Sequence, residues 1–211
     1  MSGLDLLTAL VLTLVGVRLV TVARVSVRTR SRSFAIARGL RPRHFLMALP
    51  VLVLVLVVAS ALIQIPGLSF GWWTAIGGQG NPVTGVTTST GSSKLSLVIP
   101  AAFAVLLFIG LPLFVEREEE MFRLGAEQRS RRENARKAVT FGLVHAVVGI
   151  PIGVALALSI GGFYFTWAYL RMWRRTGAVD AALGESIRCH LSYNLIIVTL
   201  LVVYVTVAAL S

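Results

Sequence analysis

Apolar residues in this chain come in long runs, at about 4–23, 45–65, 95–115, 138–150, 152–172 and 190–210. Runs near twenty residues have the length a helix needs to cross a bilayer. Proline and glycine punctuate them: Pro66-Gly67 closes the second, and Gly149-Ile150-Pro151 separates the fourth from the fifth, where an interhelical turn or a sharp kink is expected. The fourth run is short, and thirteen residues at about 1.5 Å each reach only about 20 Å. It must borrow polar flanks from the preceding loop or line a wet cavity. The pattern predicts an all-α fold: a polytopic membrane helix bundle of about six transmembrane helices, with residues 1–211 as one domain.

The first run, Leu4–Ala23, differs from a signal peptide. It has Asp5 in place of a basic n-region and runs into an Arg-rich stretch instead of a small-residue cleavage site, so it is expected to be a permanent membrane helix. Charge sorts the loops. Arg24, Arg28, Arg30, Arg32, Arg38, Arg41 and Arg43 follow the first run; Arg117, Arg123, Arg129, Arg131, Arg132, Arg136 and Lys137 follow the third; Arg171, Arg174, Arg175 and Arg188 follow the fifth. The loop 66–94 holds Lys94 alone among basic residues. The positive-inside rule puts the basic loops in the cytoplasm and both termini outside, together with the 66–94 loop. Trp72 and Trp73 suit an interfacial position.

Composition agrees with this topology. Only 14% of the 211 residues are charged, against roughly a quarter in soluble domains, and mean hydropathy is +0.82. A net charge of +11 invites a nucleic-acid partner, but topology accounts for most of it, and none is expected. The single Cys189 excludes an intrachain disulfide and a cysteine-based metal cluster. It cannot form a thiol dyad with His190, because adjacent helical side chains point about 100° apart.

Three polar groupings remain. In FVEREEEMFR, Glu116, Glu118, Glu119 and Glu120 make up four of the nine acidic residues, at the end of an apolar run. Glu119 and Arg123 are spaced for an i,i+4 ion pair, while Glu118 lies about 100° round the helix, uncommitted to that arginine. A carboxylate poorly solvated and crowded by others should have a raised pKa, suiting a general base. A solvated charge run capping the helix end is the plainer alternative. His145 lies inside the fourth run, with Phe141 one turn before it; it is either functional or interhelical glue bonded to a carbonyl. His190 and Asn194 share one face at the start of the sixth run, as a site pair or as an interfacial histidine with a packing asparagine. His44, among arginines at a helix start, is expected to be interfacial. In the expected topology the three groupings converge near the cytoplasmic face, as one water-accessible site would.

The same residues spell EExxxR (Glu118, Glu119, Arg123), FxxxH (Phe141, His145) and HxxxN (His190, Asn194). In this order and spacing they resemble the CPBP family, the CAAX prenyl endopeptidases and bacteriocin-processing, Abi-type intramembrane proteases. AYLRMWRRTG is also similar to the segment before that family's last motif. The resemblance covers about 115–200; residues 1–95 form variable N-terminal helices and an outer loop, and 96–211 a protease-like core. Leu124 precedes Gly125 where the family has glycine directly after the arginine, Glu120 is an extra acid, and the loop 124–137 is unusually basic.

The resemblance implies an intramembrane endopeptidase in which Glu118 and His145 hold and deprotonate the attacking water. His190 and Asn194 would form the oxyanion hole, while Glu119 and Arg123 brace the glutamate helix. It implies no cofactor; the alternative is zinc held by Glu118, His145 and His190. Expected partners are the lipid bilayer and a peptide or protein substrate, prenylated or otherwise membrane-associated. The breadth of the family suggests a multi-pass protein of a bacterial plasma membrane, its site opening to the cytoplasm. A catalytically silent relative serving as scaffold, immunity or regulatory protein is the competing reading. A small transporter is a weaker one, since the polar residues gather at one face.

Overall fold

The computed structural model describes residues 35–72 and 95–210, with isolated positions between 10 and 25. The first apolar run and the loop after Trp72, including Trp73, lie largely outside the described residues. Among the described residues, five longer helices carry the fold: α1 (Pro42–Leu62), α2 (Leu95–Phe122), α3 (Arg131–Leu143), α4 (Ile152–Thr176) and α5 (Val179–Leu210). Short 3₁₀ turns span Ala126–Gln128 and Val144–Val148, and no strand occurs among the described residues. The all-α expectation holds. Of the six expected crossings, two described helices, α1 and α4, are long and apolar enough to cross a membrane. Along α1, Leu46, Leu49, Val53, Leu54, Leu56 and Val57 are exposed.

Local chemistry sets the boundaries. Pro42 opens α1, where its missing N–H removes a donor that would lack a helical partner. His44 is buried within the bundle, and its Nδ1 accepts the Arg41 backbone N–H at 3.0 Å, capping the first turn. At the other end of the acidic helix, Arg129 donates to the Phe122 carbonyl at 2.8 Å and to that of Leu124. These bonds satisfy carbonyls the helix leaves open. Gly125 follows at φ 81°, a left-handed turn that suits glycine.

Helix α3 begins at Arg131, inside the basic loop, so the short fourth run does borrow polar flanks. Ser130 and Glu133 form a reciprocal capping box, with the Ser130 N–H donating to Glu133 Oε2 at 2.8 Å and the Glu133 N–H to Ser130 Oγ at 3.3 Å. The backbone N–H and the hydroxyl of Ser130 hold the Glu133 carboxyl below its ordinary pKa. The Gly149–Pro151 segment is a turn, not a kink: Gly149 is left-handed at φ 91°, and Pro151 caps α4. Trp72 fastens to the preceding 3₁₀ turn through an N–H bond of 3.0 Å to the Val147 carbonyl.

Helix α4 is central, packed by α1, α3 and α5, and α2 rests on α5. One core cluster joins Leu52 and Val55 to Phe141, Phe165 and Tyr193; the other joins Leu111 and Val115 to Tyr169, Ile187 and Leu191. The α3–α4 contact is backbone against backbone. A Cβ on Gly142 would lie 2.3 Å from the Ala155 carbonyl oxygen, and one on Gly162 would lie 2.5 Å from that of Ala138. Gly142→Val should therefore push the helices apart and cost about 1–3 kcal/mol, seen as a lower Tm of the purified chain. Gly161→Ala is the control, since its Cβ would meet only the Phe165 ring, at 3.5 Å. Equal Tm values for the two variants would refute this account.

Candidate functional site

The acidic end of α2 lies against α5, and this contact builds the site. Glu119 is wholly buried there, its Oε1 2.9 Å from His190 Nδ1. A carboxylate only accepts, so Nδ1 carries the proton and donates it. Ser186, one turn before His190 on α5, places its hydroxyl against Glu119 Oε2 and 2.9 Å from the Phe165 carbonyl. Its single proton serves one acceptor at a time.

Arg123 completes the buried set. Its Nε lies 3.6 Å from Glu119 Oε2, the ion pair expected from the four-residue spacing. The guanidinium stands 4.5 Å from the centre of the Phe141 ring and 5.6 and 5.7 Å from those of Phe122 and Phe165. Its three nitrogens make no hydrogen bond among the described residues. Aromatic faces and one carboxylate thus take the place of water around this cation.

Glu119 lies beyond the apolar run of α2. Burial alone would raise its pKa, but Arg123, His190 and Ser186 together outweigh burial and hold the carboxyl below its ordinary range. Glu119 is thus better suited to remain an anion than to work as a base, in keeping with the bracing role expected of it. A depressed folded-state pKa stabilises the fold above the unfolded value and ceases to do so as pH falls through the folded value. Thermal stability should accordingly fall on acidification below about pH 4, and the fall should be shallower in Glu119→Gln. Superimposable pH profiles would sink the assignment.

His190 is clamped in orientation. It stacks on Phe165 with centroids 4.2 Å apart at 17°, and the Phe141 ring meets it edge-on at 5.4 Å. With Nδ1 on Glu119, its Nε2 lies 3.6 Å from Glu118 Oε2. Glu118 is 36% exposed, so neighbouring carboxylates on one helix have opposite environments.

The remaining expected residues lie at the margin of this cluster. His145, half-buried on the 3₁₀ turn after α3, donates Nδ1–H to the Phe141 carbonyl at 2.8 Å, leaving Nε2 as an acceptor. Its ring is 5.2 Å from that of Phe141, which therefore touches both histidines. Asn194 is half-buried one turn after His190, and its amide makes no hydrogen bond among the described residues. No group of three His, Cys, Asp or Glu side chains there is arranged to hold a metal ion.

Sequence reasoning missed Ser186 and Phe165. The four-residue spacing from Ser186 to His190 was the available signal for the first; Phe165 gave none, being one aromatic in an apolar run. A second ionic cluster was missed as well. Glu185 on α5 takes Arg43 at 3.0 Å and lies 3.5 Å from both His44 Nε2 and Arg188 Nη1, tying α1 to α5. Comparison with protein-family models, with curated proteins and with solved structures gives no match.

Proposed function

We propose that the chain is a multi-pass membrane endopeptidase that hydrolyses a peptide bond near the cytoplasmic membrane face. The observation that carries this reading is the asymmetric pair Glu118 and Glu119 around His190. One carboxylate is buried and fully engaged, and the other is accessible and makes no ion pair with the arginine. The outward-facing apolar residues of α1, the basic loops and the motif resemblance support the membrane setting, the six crossings and the cytoplasmic opening. The bacterial plasma membrane follows from the resemblance alone.

In this mechanism Glu118 takes a proton from a water whose oxygen attacks the scissile carbonyl carbon. The Nε2 lone pair of His145 accepts the water's other hydrogen and fixes its direction. The carbonyl π pair moves to oxygen, and that oxyanion receives hydrogen bonds from the Asn194 amide and from His190 Nε2–H. His190 donates there only when both its nitrogens carry protons, a charge that Glu119 faces directly. The proton on Glu118 then passes to the leaving nitrogen as the C–N bond breaks, giving an acid and an amine. Phe165 and Phe141 hold the imidazole plane, and Arg123 anchors Glu119.

A zinc ion would draw on Glu118, His145 and His190, and it would supply a more acidic bound water. Purified protein in proteoliposomes, offered a mixed peptide library that includes prenylated peptides, should cleave and should continue to do so with a chelator present. Loss on chelation, reversed by added metal, would transfer those three residues to ligand roles. Absence of cleavage throughout the library would favour the silent scaffold.

A further inference from the structure

A second site is built where α1, α4 and α5 meet, apart from the glutamate cluster. An open cleft of about 100 Å³ is lined by Arg43, Arg171 and Arg175, with Met47, Met172 and Trp167 among its apolar walls. Glu185 is the carboxylate in its lining, and Arg43, His44 and Arg188 already surround it. Arg171 and Arg175 form no ion pair among the described residues. The Arg171 guanidinium lies instead 5.0 Å over the Trp167 ring.

Position narrows the ligand. Arg43 lies in the first turn of α1 and Arg175 in the last turn of α4, and these two helices pack together. They are also the two described helices able to cross a membrane. The cleft therefore occupies one common end of both candidate spans, where headgroups would lie in the proposed membrane setting. Phe163, Trp167, Arg171 and Arg175 recur every four residues along one face of α4, and both aromatics are exposed. That face runs from apolar to aromatic to cationic, the polarity profile of an amphiphile with an anionic head. A soluble anion would need the arginines but not the aromatic stripe leading away from them.

We propose that this cleft binds an anionic phospholipid, its phosphate held by Arg171 and Arg175 and its acyl chain lying along Trp167 and Phe163. Guanidinium groups match phosphate oxygens in geometry and charge. The proposal rests on the membrane part of the proposed function and not on peptide hydrolysis.

The test is native mass spectrometry of the full chain released from nanodiscs containing equal phosphatidylglycerol and phosphatidylcholine. Wild type should retain phosphatidylglycerol preferentially. The double variant Arg171→Gln/Arg175→Gln should lower that retention about a hundredfold, each charge-assisted bond to phosphate being worth about tenfold. Arg117→Gln/Arg174→Gln removes the same charge outside the cleft and should lower retention far less, through the general surface attraction alone. Equal retention of the two lipids, an unaltered double variant, or equal loss in the control pair would each overturn the proposal. Displacement of the lipid by glycerol 3-phosphate at equal concentration would also do so, by identifying a soluble phosphate ligand. Carbonate extraction of membranes reports separately on the underlying reading. A chain released by carbonate overturns the membrane setting, whereas a retained chain without lipid preference overturns only this site.

Discussion

Glu118→Gln is expected to lower peptide cleavage by about 10²–10⁴-fold, the usual contribution of a positioned general base, while leaving the fold intact. Glutamine keeps the shape and the acceptor oxygen, so water and substrate can still bind. It cannot take the proton. Glu118 is 36% exposed and makes one contact with His190 at 3.6 Å, longer than a hydrogen bond. Stability should then stay within about 0.5 kcal/mol of wild type. The loss should appear in kcat more than in KM, because the base acts in the transition state. Full cleavage by this variant would remove Glu118 from the chemistry, whatever its place in the motif.

The neighbouring residue should behave in the opposite way. Glu119→Leu leaves Arg123 buried without its carboxylate and leaves Ser186 and His190 without their acceptor. Breaking a buried ion pair from one side costs about 3–5 kcal/mol, a large share of the 5–15 kcal/mol that holds a typical domain together. The variant should unfold at markedly lower temperature or fail to accumulate. Replacing both partners, Glu119→Leu with Arg123→Met, removes the orphaned charge and should recover much of the loss. The recovered protein should still cleave poorly, since His190 would lack its Nδ1 partner. A double variant no more stable than Glu119→Leu alone would show that the pair is not the source of the effect. Measured side by side, Glu118 and Glu119 separate chemistry from scaffold at adjacent positions.

Helical periodicity made part of this site legible. The Glu119–Arg123 pair, the Phe141–His145 contact and the shared face of His190 and Asn194 all follow from four-residue spacing. The turn at Gly149–Pro151 follows from backbone chemistry. What could not be read was which helix faces which. Phe165 is one aromatic among several in α4, and only the α4–α5 packing stacks it on His190. Ser186 gains its role only because α2 delivers Glu119 to the same place. The cap that His44 provides was equally hidden: the extended backbone at Arg41 lets its Nδ1 accept the Arg41 N–H. The polar flanks expected of the fourth run are supplied where Ser130 and Glu133 start a helix within a charged loop, a start that hydropathy alone does not register.

The bond between Glu119 and His190 joins positions 71 apart in the chain. During synthesis α2 is complete long before α5 emerges, so the nascent protein carries the acidic half of its site without the half that orients it. The hydrolysis proposed above would have to wait for α5. A chain halted before Ser186 retains the Glu119–Arg123 pair but has neither His190 nor Asn194. Under the proposed function, activity would therefore require α5, which carries His190 and the Asn194 amide.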